Sequence, residues 1–169
     1  MRRFGVGAVA AFAIAGSALP AILPVITPTA QALQGFSPNA PFIKSAGIEG
    51  AKGDSHFITV GVEVFPVSAF VIECTNLAGV EKATVTTASG AKLAASSSVS
   101  ASPEGGTALT VTLAEPIVPG TTITVVMDGV DRNEAGGAMF YRVSALNDNI
   151  PYPFPVGTAM LLERSLGDR

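Results

Sequence analysis

The sequence predicts an all-β fold, an immunoglobulin-like or Greek-key β-sandwich preceded by a cleavable signal peptide, and three observations lead there. Short segments alternate apolar with polar residues, the period of a half-buried antiparallel strand. Turn residues recur at roughly ten-residue intervals between those segments. No stretch after the leader sustains a helical period. A closed barrel is the alternative way to assemble the same seven to nine segments.

At the N-terminus Met1-Arg2-Arg3 is a short basic stretch, Phe4 to Leu23 is almost wholly apolar, and Ala30-Gln31-Ala32 offers small residues at a peptidase site. Gly5, Gly7, Gly16, Pro20, Pro24 and Pro28 interrupt the apolar run and no Lys/Arg cluster follows it, which favours cleavage over a retained anchor. The expected organisation is therefore a signal peptide over 1–32 and one β-sandwich domain over 33–169, a chain of 137 residues. That length buries enough surface to stand without disulfides or a structural metal. No membrane span is expected after signal cleavage, and the expected location is periplasm, outer envelope or extracellular space.

All 13 acidic residues follow the leader, against eight basic ones scattered singly, a balance of −5. With no basic stripe to neutralise phosphates, nucleic acid is excluded as a partner. Cys74 is the single cysteine, so no intramolecular disulfide forms. It shares phase with Phe70 and Ile72, the pattern of a buried thiol acting as a small hydrophobe.

Taken in order, Leu33 to Ala40 reads as an irregular lead-in and Pro41 to Ser45 as a short edge strand with proline at its start. Gly47, Gly50 and Gly53 mark a loop. His56 to Phe65 is the clearest strand: Ile58, Val60, Val62 and Val64 line one face, Thr59, Gly61 and Glu63 the other, and Pro66 ends it. Ala69 to Thr75 is an apolar strand, followed by a break over Asn76 to Gly79 and a strand over Lys82 to Thr87. The Ser/Ala-rich stretch from Ser89 to Gly106 fits one poor strand around Leu93 to Val99 or a loop.

Thr107 to Ala145 reads as a β-meander, three strands paired in sequence. Leu109, Val111 and Leu113 face inward in the first; Ile123, Val125 and Met127 do so in the second; Pro116 and Pro119 with Gly120 form the turn between. In the third, Met139, Tyr141, Val143 and Ala145 alternate with Phe140, Arg142 and Ser144, and Phe140 makes both faces partly apolar, as in a strand passing through the middle of a sheet. Pro151, Pro153 and Pro155 around Tyr152 and Phe154 predict extended polyproline geometry covering a sheet edge. Thr158 to Glu163 closes the fold as a short strand.

Ala32-Leu33-Gln34, the stretch Pro-Ile-Val-Pro-Gly-Thr-Thr-Ile-Thr from Pro116 to Thr124, Gly136-Gly137 with Phe140-Tyr141-Arg142-Val143, and Pro155-Val156-Gly157 resemble a cyanobacterial exported family of unknown function, domain-of-unknown-function family twenty-eight-oh-eight. The likeness spans nearly the whole mature chain, and the Ser/Ala-rich middle matches poorly. It implies an exported cyanobacterial protein and carries over no catalytic residue. A looser likeness is to bacterial immunoglobulin-like envelope modules, with Asp128 to Gly137 as an acidic loop and Gly-rich turn.

Candidate chemistry is sparse. Asp128, Asp131, Asn133 and Glu134 are the densest oxygen donors and form the one candidate metal site, for calcium. The competing reading is a solvated turn in which Asp and Asn bond their own backbone. His56, the single histidine, cannot build a zinc or copper site alone and is assigned to a surface or strand end. No G-x-S-x-G pattern occurs, and no carboxylate pair stands out as acid and base. Tyr152-Pro153-Phe154 is the best exposed-aromatic segment. The expectation is a non-enzyme without cofactor, a structural or protein-interaction module whose partner is an envelope protein or cell-wall component. A periplasmic small-ligand or calcium-binding protein is the alternative.

Overall fold

The computed structural model describes residues 40–49, 52–133 and 137–163, all within the compact unit Gly35–Arg169. The expected signal peptide, most of the Leu33-to-Ala40 lead-in, Glu134 and Gly136 lie outside the described residues. Ten strands follow in order: β1 Phe42–Glu49, β2 Ser55–Val62, β3 Val67–Cys74, β4 Leu77–Thr87, β5 Lys92–Leu93, β6 Ala95–Ala101, β7 Thr107–Ile117, β8 Thr121–Arg132, β9 Gly137–Asn147 and β10 Ile150–Glu163. They form two antiparallel five-stranded sheets, β1-β2-β8-β4-β5 and β10-β9-β3-β7-β6. The sandwich expected from the alternation is what forms.

The core lies between the sheets, where inward residues of both interdigitate. Ile58, Val60, Val62, Ile123, Val125 and Met127 from the first sheet meet Phe70, Ile72, Leu109, Val111, Tyr141 and Val143 from the second. The in-and-out phase read for β2, β7, β8 and β9 holds at these positions. Cys74 is a buried free thiol, in phase with Phe70 and Ile72. On one side the sandwich closes because β1 lies against β10, and a Cβ on Gly157 would stand 3.4 Å from Ile43.

Several expectations are corrected. The meander does not exist: β7 and β9 belong to one sheet and β8 to the other, so β8 pairs with neither of them. The Pro116-to-Gly120 connector, exposed except at Ile117, passes from one sheet to the other, with Ile117 still paired to Val67 of β3 while Gly120 N–H donates to the Val62 carbonyl at 2.7 Å. β2 ends at Val62, leaving Val64 exposed rather than inward. Gly47 belongs to β1, packed so closely on Phe57 that a Cβ would meet the ring at 2.6 Å. β4 begins at Leu77, inside the expected break, because Leu77 is fully buried and its carbonyl accepts from Thr107 Oγ1 at 2.6 Å. The Ser/Ala-rich stretch holds two strands, β5 and β6.

The proline-rich tail is part of β10 rather than a separate polyproline cover. The ladder with β9 skips from Ile150 to Phe154, so the segment around Pro151 and Pro153 bulges away and an edge strand tolerates the missing N–H groups. Asp128 to Arg132 is the end of β8, not a loop. Gly129 has φ 64°, and after it the buried phase shifts from Met127 to Val130, placing Asp128 and Asp131 outward.

Candidate functional site

The richest surface lies on the outer face of the second sheet. In β9, Met139, Tyr141 and Val143 fill the core, so Phe140 and Arg142 must point outward. In β10, Ala159 and Leu161 face inward and Thr158, Met160 and Leu162 outward. The register sets Met160 directly opposite Phe140 and Thr158 opposite Arg142. Phe140, Met160 and Leu162 are 54%, 56% and 65% exposed, an apolar shelf on two adjoining strands. Cross-strand apolar pairs normally gain by mutual contact, and here their outer surfaces stay open to water.

An ion cluster borders the shelf. Glu73 on β3 sits opposite Arg142 in the ladder, 3.9 Å from its guanidinium. Arg142 also bonds Glu104, which the β6–β7 turn brings over β9. Ser102 in the same turn donates its hydroxyl to Glu73 at 2.7 Å. The hydrogen bond from Arg142 holds the Glu104 carboxyl below its ordinary range and raises the guanidinium correspondingly. A depression of about 150 Å³ lies among Glu73, Ser102, Glu104, Phe140, Arg142 and Thr158. Apolar shelf and polar rim together suit an amphipathic protein surface, the anatomy of a protein-binding patch.

The residues singled out in the sequence are dispersed. His56 is fully buried, not at the surface, and faces the opposite sheet in phase with Ile58. Its Nε2 lies 3.2 Å from the Gly53 carbonyl, which can only accept, so Nε2 carries the proton and Tyr141 O–H donates to Nδ1 at 2.5 Å. Burial lowers the His56 pKa and raises those of Tyr141 and Cys74. His56 and Tyr141 thus form a satisfied, fully buried contact between the sheets.

Of the calcium candidates, Asp128 accepts from Ser55 Oγ at 2.8 Å and Asp131 accepts from the Arg132 N–H at 2.9 Å. Asn133 is exposed and bonds Asn76 through its backbone. Asp131 shares a shallow depression around Gly129 with Asp54 and Glu81. Among the described residues no three His, Cys, Asp or Glu side chains converge as metal ligands. Tyr152 is 68% exposed, whereas Phe154 is half-buried with its ring edge-on to Phe65 at 6.5 Å. Sequence reasoning noticed Phe140 but missed Met160, Leu162 and the Glu73–Arg142–Glu104 cluster. The signal was the outward alternation of two apolar residues in the last strand.

Residues 59–161 match the family profile described as Protein of unknown function (DUF2808). The chain belongs to the DUF2808 family. No curated protein matches it. Among solved structures, this DUF2808 chain is similar to the C-terminal domain of the Streptococcus agalactiae AgI/II polypeptide BspA, at 15% identity and TM-score 0.41, over 76% of this chain and 46% of that one. It is similar to the C-terminal domain of the Streptococcus pyogenes antigen I/II-family protein AspA at 11% identity and TM-score 0.32, over 76% and 43%. A family 123 glycoside hydrolase from Clostridium perfringens follows at 10% identity and TM-score 0.29, over 66% and 21%. The chain thus spans less than half the length of each, and likenesses at these scores assign no ligand or role.

Proposed function

We propose that this DUF2808 protein is an exported, non-catalytic sandwich of the cell envelope or periplasm that serves as a structural or protein-interaction module. The observation that carries the reading is the open shelf of Phe140, Met160 and Leu162 beside the Arg142 ion cluster. Export rests on the basic, apolar and small-residue succession from Met1 to Ala32, and a cyanobacterial source on the resemblance alone. An immunoglobulin-like layout is supported by strand order: β1-β2-β8-β4 follows A-B-E-D, and β10-β9-β3 follows G-F-C. The partner is an envelope protein or cell-wall component.

Export is tested by intact mass, which should place the native N-terminus at or near Leu33; Met1 retained in a membrane fraction would refute it. The interaction reading is tested by pull-down from envelope fractions with the wild type and with Phe140→Ser/Met160→Ser. A partner held by the wild type should be lost with the variant at unchanged melting temperature. Equal capture by both would remove the shelf from the interface.

The second reading, a calcium-binding protein, rests on the run of oxygen donors Asp128, Asp131, Asn133 and Glu134 in the sequence. Under the first reading, adding calcium or chelator leaves the melting midpoint unchanged. A saturable rise in midpoint, abolished by Asp131→Asn, would transfer the proposal to calcium.

A further inference from the structure

A sheet edge left open invites another strand, and proteins blunt edges with prolines, charges, bulges or short length. Three of the four edges here carry such devices. β10 has Pro151, Pro153 and Pro155 and lies beside β1. β1 bulges between Ile43 and Ser45 and exposes Lys44. β5 is two residues long. β6 has none of them: Ala-Ser-Ser-Ser-Val-Ser-Ala is uncharged and free of proline, all seven residues are exposed, and its register with β7 is unbroken.

The direction of its free backbone groups follows from parity. Ala114 N–H donates to the Ala94 carbonyl at 2.9 Å and Ser102 N–H to the Gly106 carbonyl at 3.1 Å, both in the register of the β6–β7 ladder. Hydrogen-bonded pairs alternate in an antiparallel ladder, so Ser96, Ser98 and Ser100 bond β7. Ala95, Ser97, Val99 and Ala101 therefore turn their N–H and C=O groups to the open edge. Val99, opposite Leu109 on the inner face, is 47% exposed, so the margin of the core is open at the same place.

We propose that this edge pairs with β6 of a second copy of the chain, antiparallel about a two-fold axis through Ser98. That axis sets Ala95 against Ala101 and Ser97 against Val99, matching outward residues with outward residues for roughly eight backbone bonds. The strand reads almost alike in both directions, so small side chains meet small ones and no like charges collide. The two Val99 side chains become diagonal neighbours on the inner face and cover one another. None of this depends on export or on the Phe140 shelf.

Sedimentation of the purified full chain, in the N-terminal form the cell leaves, should show a concentration-dependent dimer. Ser97→Pro deletes an outward N–H without touching the β7 ladder, and should give a monomer with an unchanged melting midpoint. Ser98→Cys puts a thiol on the axis at a pair whose Cα atoms approach about 4.5 Å, within disulfide reach. Ser96→Cys lies on the same face but about 14 Å from its counterpart, at about 3.4 Å per residue. Mild oxidation should cross-link Ser98→Cys about tenfold or more faster than Ser96→Cys, in line with that geometry. A monomer at every concentration, a dimer intact in Ser97→Pro, or equal cross-linking at both positions would overturn the proposal. So would capture of a different protein on this edge that Ser97→Pro abolishes. If Ser97→Pro did not fold, the two cysteine variants decide alone.

Discussion

His56 shows how one buried side chain ties pH to stability. Desolvation lowers its folded pKa beneath the ordinary value of 6.5, with the Gly53 carbonyl pulling weakly the other way. The unfolded chain then binds the proton more readily, so the stability from neutral His56 is present above pH 6.5 and is lost as pH falls through the folded pKa. Melting midpoints should therefore fall between neutral pH and about pH 5, and His56→Gln, lower throughout, should lose that part of the slope. An identical slope in the variant would mean carboxylates alone set the acid limit. Cys74, whose thiol burial pushes up, should react with maleimide only after denaturant is added. Fast labelling of the native protein would show that the top of β3 opens readily.

At the scale of the element, β8 is the strand with most at stake, since it pairs along most of its length with both β2 and β4. Val125 is buried, while Thr124 lies outward with its hydroxyl 3.0 Å from that of Thr59. Val125→Asp should cost several kcal/mol, enough to unfold a marginal domain, and Thr124→Asp only about 1 kcal/mol. Thermal melts compare them directly, and equal damage would mean that the outer face of β8 is covered. The alternation that supports this pair was legible in the sequence because period two reports which face is buried. It does not report which sheet a strand joins, and for that reason β7, β8 and β9 read as a meander: a connector that passes between sheets and one that turns within a sheet use the same Pro and Gly residues. His56 shares phase with Ile58, yet its polarity reads as a strand-end position because the partner that satisfies it in the core, Tyr141, lies 85 residues away. Met160 and Leu162 were hidden likewise, since only the β9–β10 register makes them neighbours of Phe140.

At the scale of the molecule, the inner face of each sheet is covered only by the other, so neither sheet is a stable unit alone. The pairings that build the centre of both sheets, β2 with β8, β3 with β7 and β9, and β4 with β8, join strands distant in sequence. Hairpins supply only β1–β2, β4–β5, β6–β7 and β9–β10. Loop-closure entropy must be met before those distant pairings contribute, which places folding in the millisecond-to-second range and leaves no partly folded half with a core. Tyrosine emission tests this without a label, because the chain has no Trp and two Tyr, of which Tyr141 is fully buried and Tyr152 is 68% exposed. The signal thus reports chiefly on Tyr141, whose hydroxyl crosses from β9 to His56 in the opposite sheet. Urea unfolding followed by tyrosine emission and by far-ultraviolet circular dichroism should give one coincident transition with a single midpoint. If the emission changed first while strand content persisted, the sheets would separate before they unfold, and the shared core would be a weaker bond between them than the ladders within each.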